Sequence, residues 1–329
     1  MAPVRVMIDE EGLVAFAQKL VQTPSVSTQE GEVARLLVEE MERAGFAEVT
    51  IDRMGNVIGR IGPQEGPKLL YDAHMDTVDV GDPSAWKRDP FAGEIQGGVL
   101  YGRGACDMKG ALAAMVYAGK AIVEGGFTLG GGLYVVGVVQ EEPCEGLAIQ
   151  HVIEREGLRP NWVVLGEATN LQLSRGQRGR IEFRITVRGR SCHASRPERG
   201  VNAIYEAARV IVGLELLAPQ LNRDSFLGKG SITVTEINST SGSRNAVPDS
   251  CTLYVDRRLT VGETETKALA ELRQVLGREG VRADIEVPLY RAKSYTGYAV
   301  EHRQQFPYWV TAEDDPLLLQ AVEVIEDTL

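Results

Sequence analysis

The chain has 329 residues, with 46 Asp+Glu against 35 Lys+Arg, for a formal charge of −11. That length suits about two domains with substantial cores, and 43% hydrophobic with 25% charged residues excludes a disordered chain. The acidic balance excludes the basic footprint of a nucleic-acid binder, and no apolar run approaches the ~18 residues of a membrane span.

The N-terminal stretch MAPVRVMIDEEGLVAF carries acids where a secretion signal needs unbroken apolar residues, so a cytoplasmic location is expected. Cys106, Cys144, Cys192 and Cys251 are widely spaced without a CxxC pair, which reads as reduced thiols. A helical period covers 9–21, pauses at Thr23-Pro24-Ser25, and resumes over 29–44 until Gly45. Strand-like runs follow at 49–53, 57–61 and 68–73; then come a small-residue helix at 110–124, an apolar strand at 133–139, a helix at 145–156 and a strand at 162–165. This alternation predicts an α/β layer with a mixed, largely parallel sheet and flanking helices.

The pattern changes near residue 180. Ile181, Phe183, Ile185 and Val187 alternate as in a strand with one solvated face. A helix at 202–217, strands at 231–237 and 252–259, a helix at 264–277 and a strand at 281–287 complete a β-α-β-β-α-β order, that of a ferredoxin-like α+β domain. From Tyr290 the chain reads as irregular until Asp314-Asp315-Pro316 opens a last helix running to Leu329. The expected organisation is a catalytic domain over 1–179, an inserted lid or dimerisation domain over 180–291, and a return to the catalytic domain over 292–329.

Four segments carry chemistry. The strand at 68–73 runs into His74-Met75-Asp76, where period two puts His74 and Asp76 on one side. Open α/β sheets place their sites at such strand ends, and a carboxylate beside a histidine can fix its tautomer while the other nitrogen holds a metal. The same pair would also suit a surface histidine beside a turn acid. Next, Gly102-Arg103-Gly104-Ala105-Cys106-Asp107 leads into a helix. A dinucleotide fingerprint needs a third glycine where Asp107 stands, which removes the ground for a nucleotide-dependent oxidoreductase. A carboxylate there suits a cation and could bridge two metal ions, or cap the helix. Glu141 and Glu142 follow the most apolar strand, and adjacent carboxylates repel unless a cation or proton lies between them; a solvated acid pair is the alternative. Glu167 follows the strand at 162–165. Three strands ending in His or carboxylate form the signal.

The segments HMDTV, GRGACDMKGALAAM, QEE, GEATN, GRSCHASRPERGVNAI and RNAVPD…LYVDRRL, in this order over about 70–260, resemble the M20 metallopeptidases and amidohydrolases, a group of deacylases, dipeptidases and desuccinylases. RGQRGR, SCHASRPERGVNAIY and DRRLTVGET are most similar to the branch called selenium-metabolism-linked hydrolases. The resemblance implies two divalent metal ions, zinc by preference with cobalt or manganese as alternatives. His74 and Glu167 would hold one, Glu142 the other, and Asp107 would bridge them, followed by a cis peptide to Met108. Asp76 would orient His74, and Glu141 would act as general base. The resemblance also places His193 in a partner subunit's active site, implying a homodimer through the inserted domain, and makes Asn245 and Arg258 substrate-binding. The implied substrate is a small, carboxylate-bearing N-acyl amino acid or dipeptide-like molecule; Glu rather than Asp at position 167 leans towards deacylases.

One departure stands out. The family takes its last metal ligand, a histidine, from near the end of a longer catalytic domain, whereas no histidine follows His302 here. The expectation is a fragment or a shortened member. The competing reading is a non-catalytic or impaired binding or assembly protein on the same scaffold. His151 and His302 read as surface residues.

Overall fold

The computed structural model describes residues 6–328. The first five residues of the N-terminal stretch and Leu329, to which the last helix was expected to run, lie outside the described residues. The chain divides into two compact units: unit 1 runs to Gln172 and includes Arg291–His302, and unit 2 comprises Leu173–Tyr290 and the chain from Arg303 onward.

Unit 1 begins with α1 (Glu10–Val21), whose N-cap Asp9 accepts the Gly12 N–H. Its buried residues Phe16, Ala17, Leu20 and Val21 recur at helical spacing. The next helix, α2 (Gly31–Arg43), buries Val33, Ala34, Leu36, Leu37 and Met41 in the same way. Strands β1 (Glu48–Ile51), β2 (Val57–Ile61) and β3 (Lys68–His74) follow, then α3 (Gly110–Glu124), β4 (Gly132–Val138), α4 (Leu147–Glu154) and β5 (Trp162–Leu165). The sheet order is β1-β2-β4-β3-β5. β3 runs parallel to β4 and β5, while β2 is antiparallel to both of its neighbours. Every residue of β4 is buried, as a strand covered on both faces requires.

The edge strand β5 departs from the pattern its composition suggests. Trp162, Val163, Val164 and Leu165 are each 40–43% exposed, because β5 pairs on one side with β3 and forms the sheet edge among the described residues.

Unit 2 contains β6 (Gly179–Arg188), α5 (Ala203–Leu217), β7 (Ser231–Thr240), β8 (Ser250–Leu259), α6 (Glu265–Glu279) and β9 (Ala283–Glu286). Its antiparallel sheet has the order β7-β8-β6-β9, the β-α-β-β-α-β arrangement expected. Ile181, Phe183, Ile185 and Val187 are fully buried with Leu253 and Val255 against Ala207, Val210, Leu272 and Val275 of the two helices.

The segment after Tyr290 differs from expectation. It is not irregular: Leu289–Lys293 and Ala299–Arg303 form a hairpin. At its tip Tyr295 Oη donates to Gly55 O at 3.0 Å and Thr296 Oγ1 donates to Arg53 O at 2.7 Å, tying it to the β1–β2 turn. Contrary to the expected organisation, residues 303–328 do not return to unit 1. Gln305–Phe306 pairs with β6 and Trp309–Val310 with Gly176–Gln177, so backbone hydrogen bonds hold this stretch to unit 2. A further hairpin, Glu94–Gln96 with Val99–Tyr101, turns on Gly97 and Gly98 at φ 60° and 80°, a conformation glycine adopts without a Cβ penalty. Among the described residues, no helix is long and apolar enough to cross a membrane.

Candidate active site

The parallel register aligns the ends of β3 and β4, pairing His74 with Val138. His74 is 1% exposed. Its Nδ1 lies 2.8 Å from the main-chain carbonyl of Asp76. A carbonyl only accepts, so Nδ1 carries the proton and Nε2 faces the site. There Nε2 lies 2.8 Å from Asp107 Oδ1 and 3.9 Å from Glu167 Oε1. Burial works against a charged imidazole, but the Asp107 hydrogen bond and the charges of Asp76, Glu141 and Glu167 outweigh it, pushing the His74 pKa up to about 10.

Asp107 reaches His74 because the glycine-rich loop turns sharply. Gly104 has φ 81°, and a Cβ there would meet Thr77 Cγ2 at 2.7 Å. The Asp107–Met108 peptide is cis, as the resemblance implies. The capping alternative for Asp107 does not hold, since Lys109 is the N-cap residue of α3 and no side-chain cap bond is made. Lys109 is buried, with Nζ donating to Leu20 O at 3.0 Å and Thr23 O at 2.7 Å. Burial lowers its pKa to about 8, with Asp76 opposing.

Glu141 and Glu142 follow β4 in a turn entered through Gln140 at φ 54°. The Asp76 side chain supports this turn: Oδ1 accepts the Glu141 N–H at 3.0 Å, and Oδ2 accepts the Glu142 N–H at 3.2 Å and the Ser27 hydroxyl at 2.6 Å. The expected geometry, with the Asp76 carboxylate bonded to His74, is therefore replaced. That carboxylate is 3.8 Å from Nδ1 at its nearest, because the main-chain carbonyl already occupies the imidazole N–H and the turn offers two amides.

Glu30, which no motif in the sequence marks as functional, also supports the site. It is fully buried, and its Oε1 accepts the N–H groups of Thr28 at 2.9 Å and Gln140 at 3.1 Å. Burial raises its pKa to about 7, and the Asp76 charge adds to this. The signal was an acid three residues after Ser27 at the start of α2, which reads as an ordinary capping pattern.

Burial raises Glu141 to about 8, with Glu167 and Asp76 adding and His74 opposing. Glu142 and Glu167 are raised by burial and by neighbouring carboxylates, while the His74 hydrogen bond lowers Asp107. Ligand atoms of His74, Asp107 and Glu142 lie within 4.8 Å of one another, as do those of His74, Glu141 and Glu167. The carboxylates of Asp76, Asp107, Glu141, Glu142 and Glu167 thus face a single imidazole. This excess of negative charge and its mixed nitrogen and oxygen donors fit divalent cations. His74 is the histidine in both groups.

The remaining predicted residues lie in unit 2. Ala194 N donates to Asn245 O at 2.7 Å, which brings the His193 and Asn245 segments together, and His193 Nδ1 is 2.7 Å from Ser195 Oγ. Arg258 Nε donates to Asp256 Oδ1 at 2.9 Å. Its neighbour Arg257 points into the core and pairs with Glu263 at 2.5 Å and Glu271 at 3.0 Å. His302 is half-buried. His151 is not a surface residue as expected: its side chain is 8% exposed and packs edge-on against Tyr298.

Comparison with known proteins bears on this geometry. Residues 175–284 match the family model described as the peptidase dimerisation domain. The chain is 46% identical over 303 residues to the uncharacterized protein YgeY of Escherichia coli (strain K12), covering 92% of this chain and 75% of that protein. It is 32% identical over 287 residues to a succinyl-diaminopimelate desuccinylase of Methylorubrum extorquens, covering 80% of this chain and 72% of the relative. A similar solved structure is the M20 family metallo-carboxypeptidase Sso-CP2 of Sulfolobus solfataricus, at TM-score 0.74 and 19% identity over 98% of this chain and 84% of that one. With the motifs in order and a desuccinylase related over most of its length, the chain belongs to the M20 family of metallohydrolases.

Proposed function

We propose that the chain is a dinuclear metal-dependent hydrolase that cleaves the amide or peptide bond of a small, carboxylate-bearing N-acyl amino acid or dipeptide-like substrate. The observation that carries this reading is the convergence of His74, Asp107, Glu141, Glu142 and Glu167 in overlapping three-residue groups. In the proposed assignment His74 and Glu167 would hold one ion and Glu142 the other, with Asp107 shared between them; zinc suits the donor set, with cobalt and manganese as alternatives. When bound, such ions polarise a substrate carbonyl and make hydroxide available at neutral pH.

The chain's own residues supply proton transfer and orientation. Glu141 is the general base: its carboxylate takes the proton from the attacking water and returns it to the leaving amine as the C–N bond breaks. Its buried position beside other carboxylates favours holding that proton between the two steps. Asp76 fixes the direction of Glu141 through the main-chain amide. His193, Asn245 and Arg258 are assigned to substrate binding, with His193 acting in the partner's site of a homodimer; a guanidinium fork suits a substrate carboxylate. The match to a dimerisation domain supports the dimer. Free cysteines at 106, 144, 192 and 251 suit a reducing, cytoplasmic setting.

The test is turnover of a panel of N-acyl amino acids and dipeptides by the zinc-loaded full chain. Glu141→Gln is expected to lose about 10²–10⁴ in kcat while retaining its metal. Equal turnover by the variant overturns the assignment of the base.

A further inference from the structure

A second cluster of metal-ligating side chains lies in unit 1, outside the His74 centre. His151 sits in the last turn of α4, and the N–H groups of Arg155 and Glu156 both point to His151 O, at 2.8 and 3.4 Å. This closing turn brings the Glu156 carboxylate back to the ring, with Oε1 at 3.7 Å from Nε2. From the β1–β2 turn, Asp52 places Oδ2 at 4.0 Å from the same nitrogen.

Nε2 of His151 is the informative atom. It is buried and has no hydrogen-bond partner, although the side chain is 8% exposed and lies between two carboxylates. A buried, unpaired ring nitrogen costs free energy unless something occupies it. The surroundings are already ordered. Asp52 Oδ1 accepts the N–H groups of Gly55 and Asn56 at 2.8 and 2.9 Å, and Oδ2 accepts Asn56 Nδ2 at 2.7 Å. The Tyr298 ring, 5.1 Å away edge-on, fixes the imidazole plane.

We propose that Asp52, His151 and Glu156 form an additional divalent-cation site of the zinc type, which braces the end of α4 against the β1–β2 turn. Zinc holds imidazole nitrogen and carboxylate oxygen at about 2.0–2.2 Å, so neighbouring ligands of a tetrahedral ion stand about 3.3–3.6 Å apart. The two separations from His151 Nε2, 3.7 and 4.0 Å, are close to that spacing, and all three ligand atoms lie within 4.8 Å of one another, so shifts of the carboxylates complete it. One nitrogen with two carboxylates favours zinc over calcium or magnesium, which prefer all-oxygen shells. The Glu156 side chain, 37% exposed, is the member of the cluster that solvent reaches.

The experiment is a calorimetric titration with zinc alone of the full chain, its His74 centre already loaded, comparing wild type with Glu156→Gln and His151→Gln. Wild type is expected to take up one equivalent more than either variant, or the variants to bind that equivalent at least tenfold more weakly, with hydrolytic turnover unchanged. Equal uptake at equal affinity overturns the site and leaves His151 as a packing residue between two carboxylates. Loss of turnover together with the equivalent would place that ion at the His74 centre and also overturns it. If His151→Gln fails to fold, the partly exposed Glu156→Gln decides alone.

Discussion

The carboxylate of Asp76 receives the main-chain N–H of Glu141 at 3.0 Å, two residues along from the histidine whose ring Asp76 holds with its own carbonyl. One residue thus sets the direction of both the candidate ligand and the candidate base. Asp76→Asn presents an amide group where two N–H groups and a hydroxyl converge. The expected outcome is a 10–100-fold fall in kcat or metal affinity, of the order seen when residues supporting metal ligands are changed. Steady-state kinetics with elemental analysis checks this, and a variant with wild-type values in both would remove Asp76 from the positioning role.

Glu30 gives a pH signature. Its folded pKa of about 7 lies above the ordinary 4.5, so the folded state binds the extra proton. Its contribution to stability is full below about pH 4.5 and is lost as pH rises through about 7, with a slope of at most about 1.4 kcal/mol per pH unit. Glu30→Gln keeps an acceptor for the Thr28 and Gln140 amides without the charge. Between pH 5 and 8 its Tm should fall less steeply than that of wild type, as differential scanning fluorimetry can show; parallel curves would contradict the raised pKa.

Loading the His74 centre must expel a proton. With a pKa of about 10 the imidazole is doubly protonated at neutral pH, and a cation can take Nε2 only when its proton leaves. Zinc affinity should therefore rise about tenfold per pH unit between pH 6 and 9, with about one proton released per ion held by His74. Calorimetry in buffers of different ionisation enthalpy measures the release. A flat affinity would mean that the nitrogen is already free.

In unit 2, adjacent arginines should behave differently. Arg257 is buried beside Glu263, itself fully buried, whereas Arg258 stands on the other face of β8 with a partly exposed Asp256. Arg257→Ala leaves a carboxylate without its cation and should cost about 3–5 kcal/mol. Arg258→Ala should cost no more than about 1 kcal/mol of folding stability. Urea unfolding of both variants separates the two, and equal losses would contradict the burial difference.

The distribution of these roles explains what could be read from residue order. The strand ends at His74, Glu141 and Glu167, the alternation from Ile181 to Val187 and the order of the main helices and strands to residue 287 all follow from local periodicity and neighbouring turns, which the chain carries in short stretches, whereas the short hairpin at 94–101 does not. The cis bond after Asp107 was implied by the resemblance to the M20 family and not by the residues themselves. Other features depended on partners far along the chain. Glu30 meets Gln140 across 110 positions, and Tyr295 meets Gly55 across 240, so local patterning singles out neither residue and leaves Tyr295 in a stretch that reads as irregular. His151 looked exposed because helical spacing identifies neighbours on its own helix but not the Tyr298 ring that covers it. Residue order fixes which side-chain types stand at each strand end. Tertiary structure decided which amide, carbonyl or carboxylate each of them meets, because hydrogen-bond partners and burial arise only when distant segments pack and water leaves.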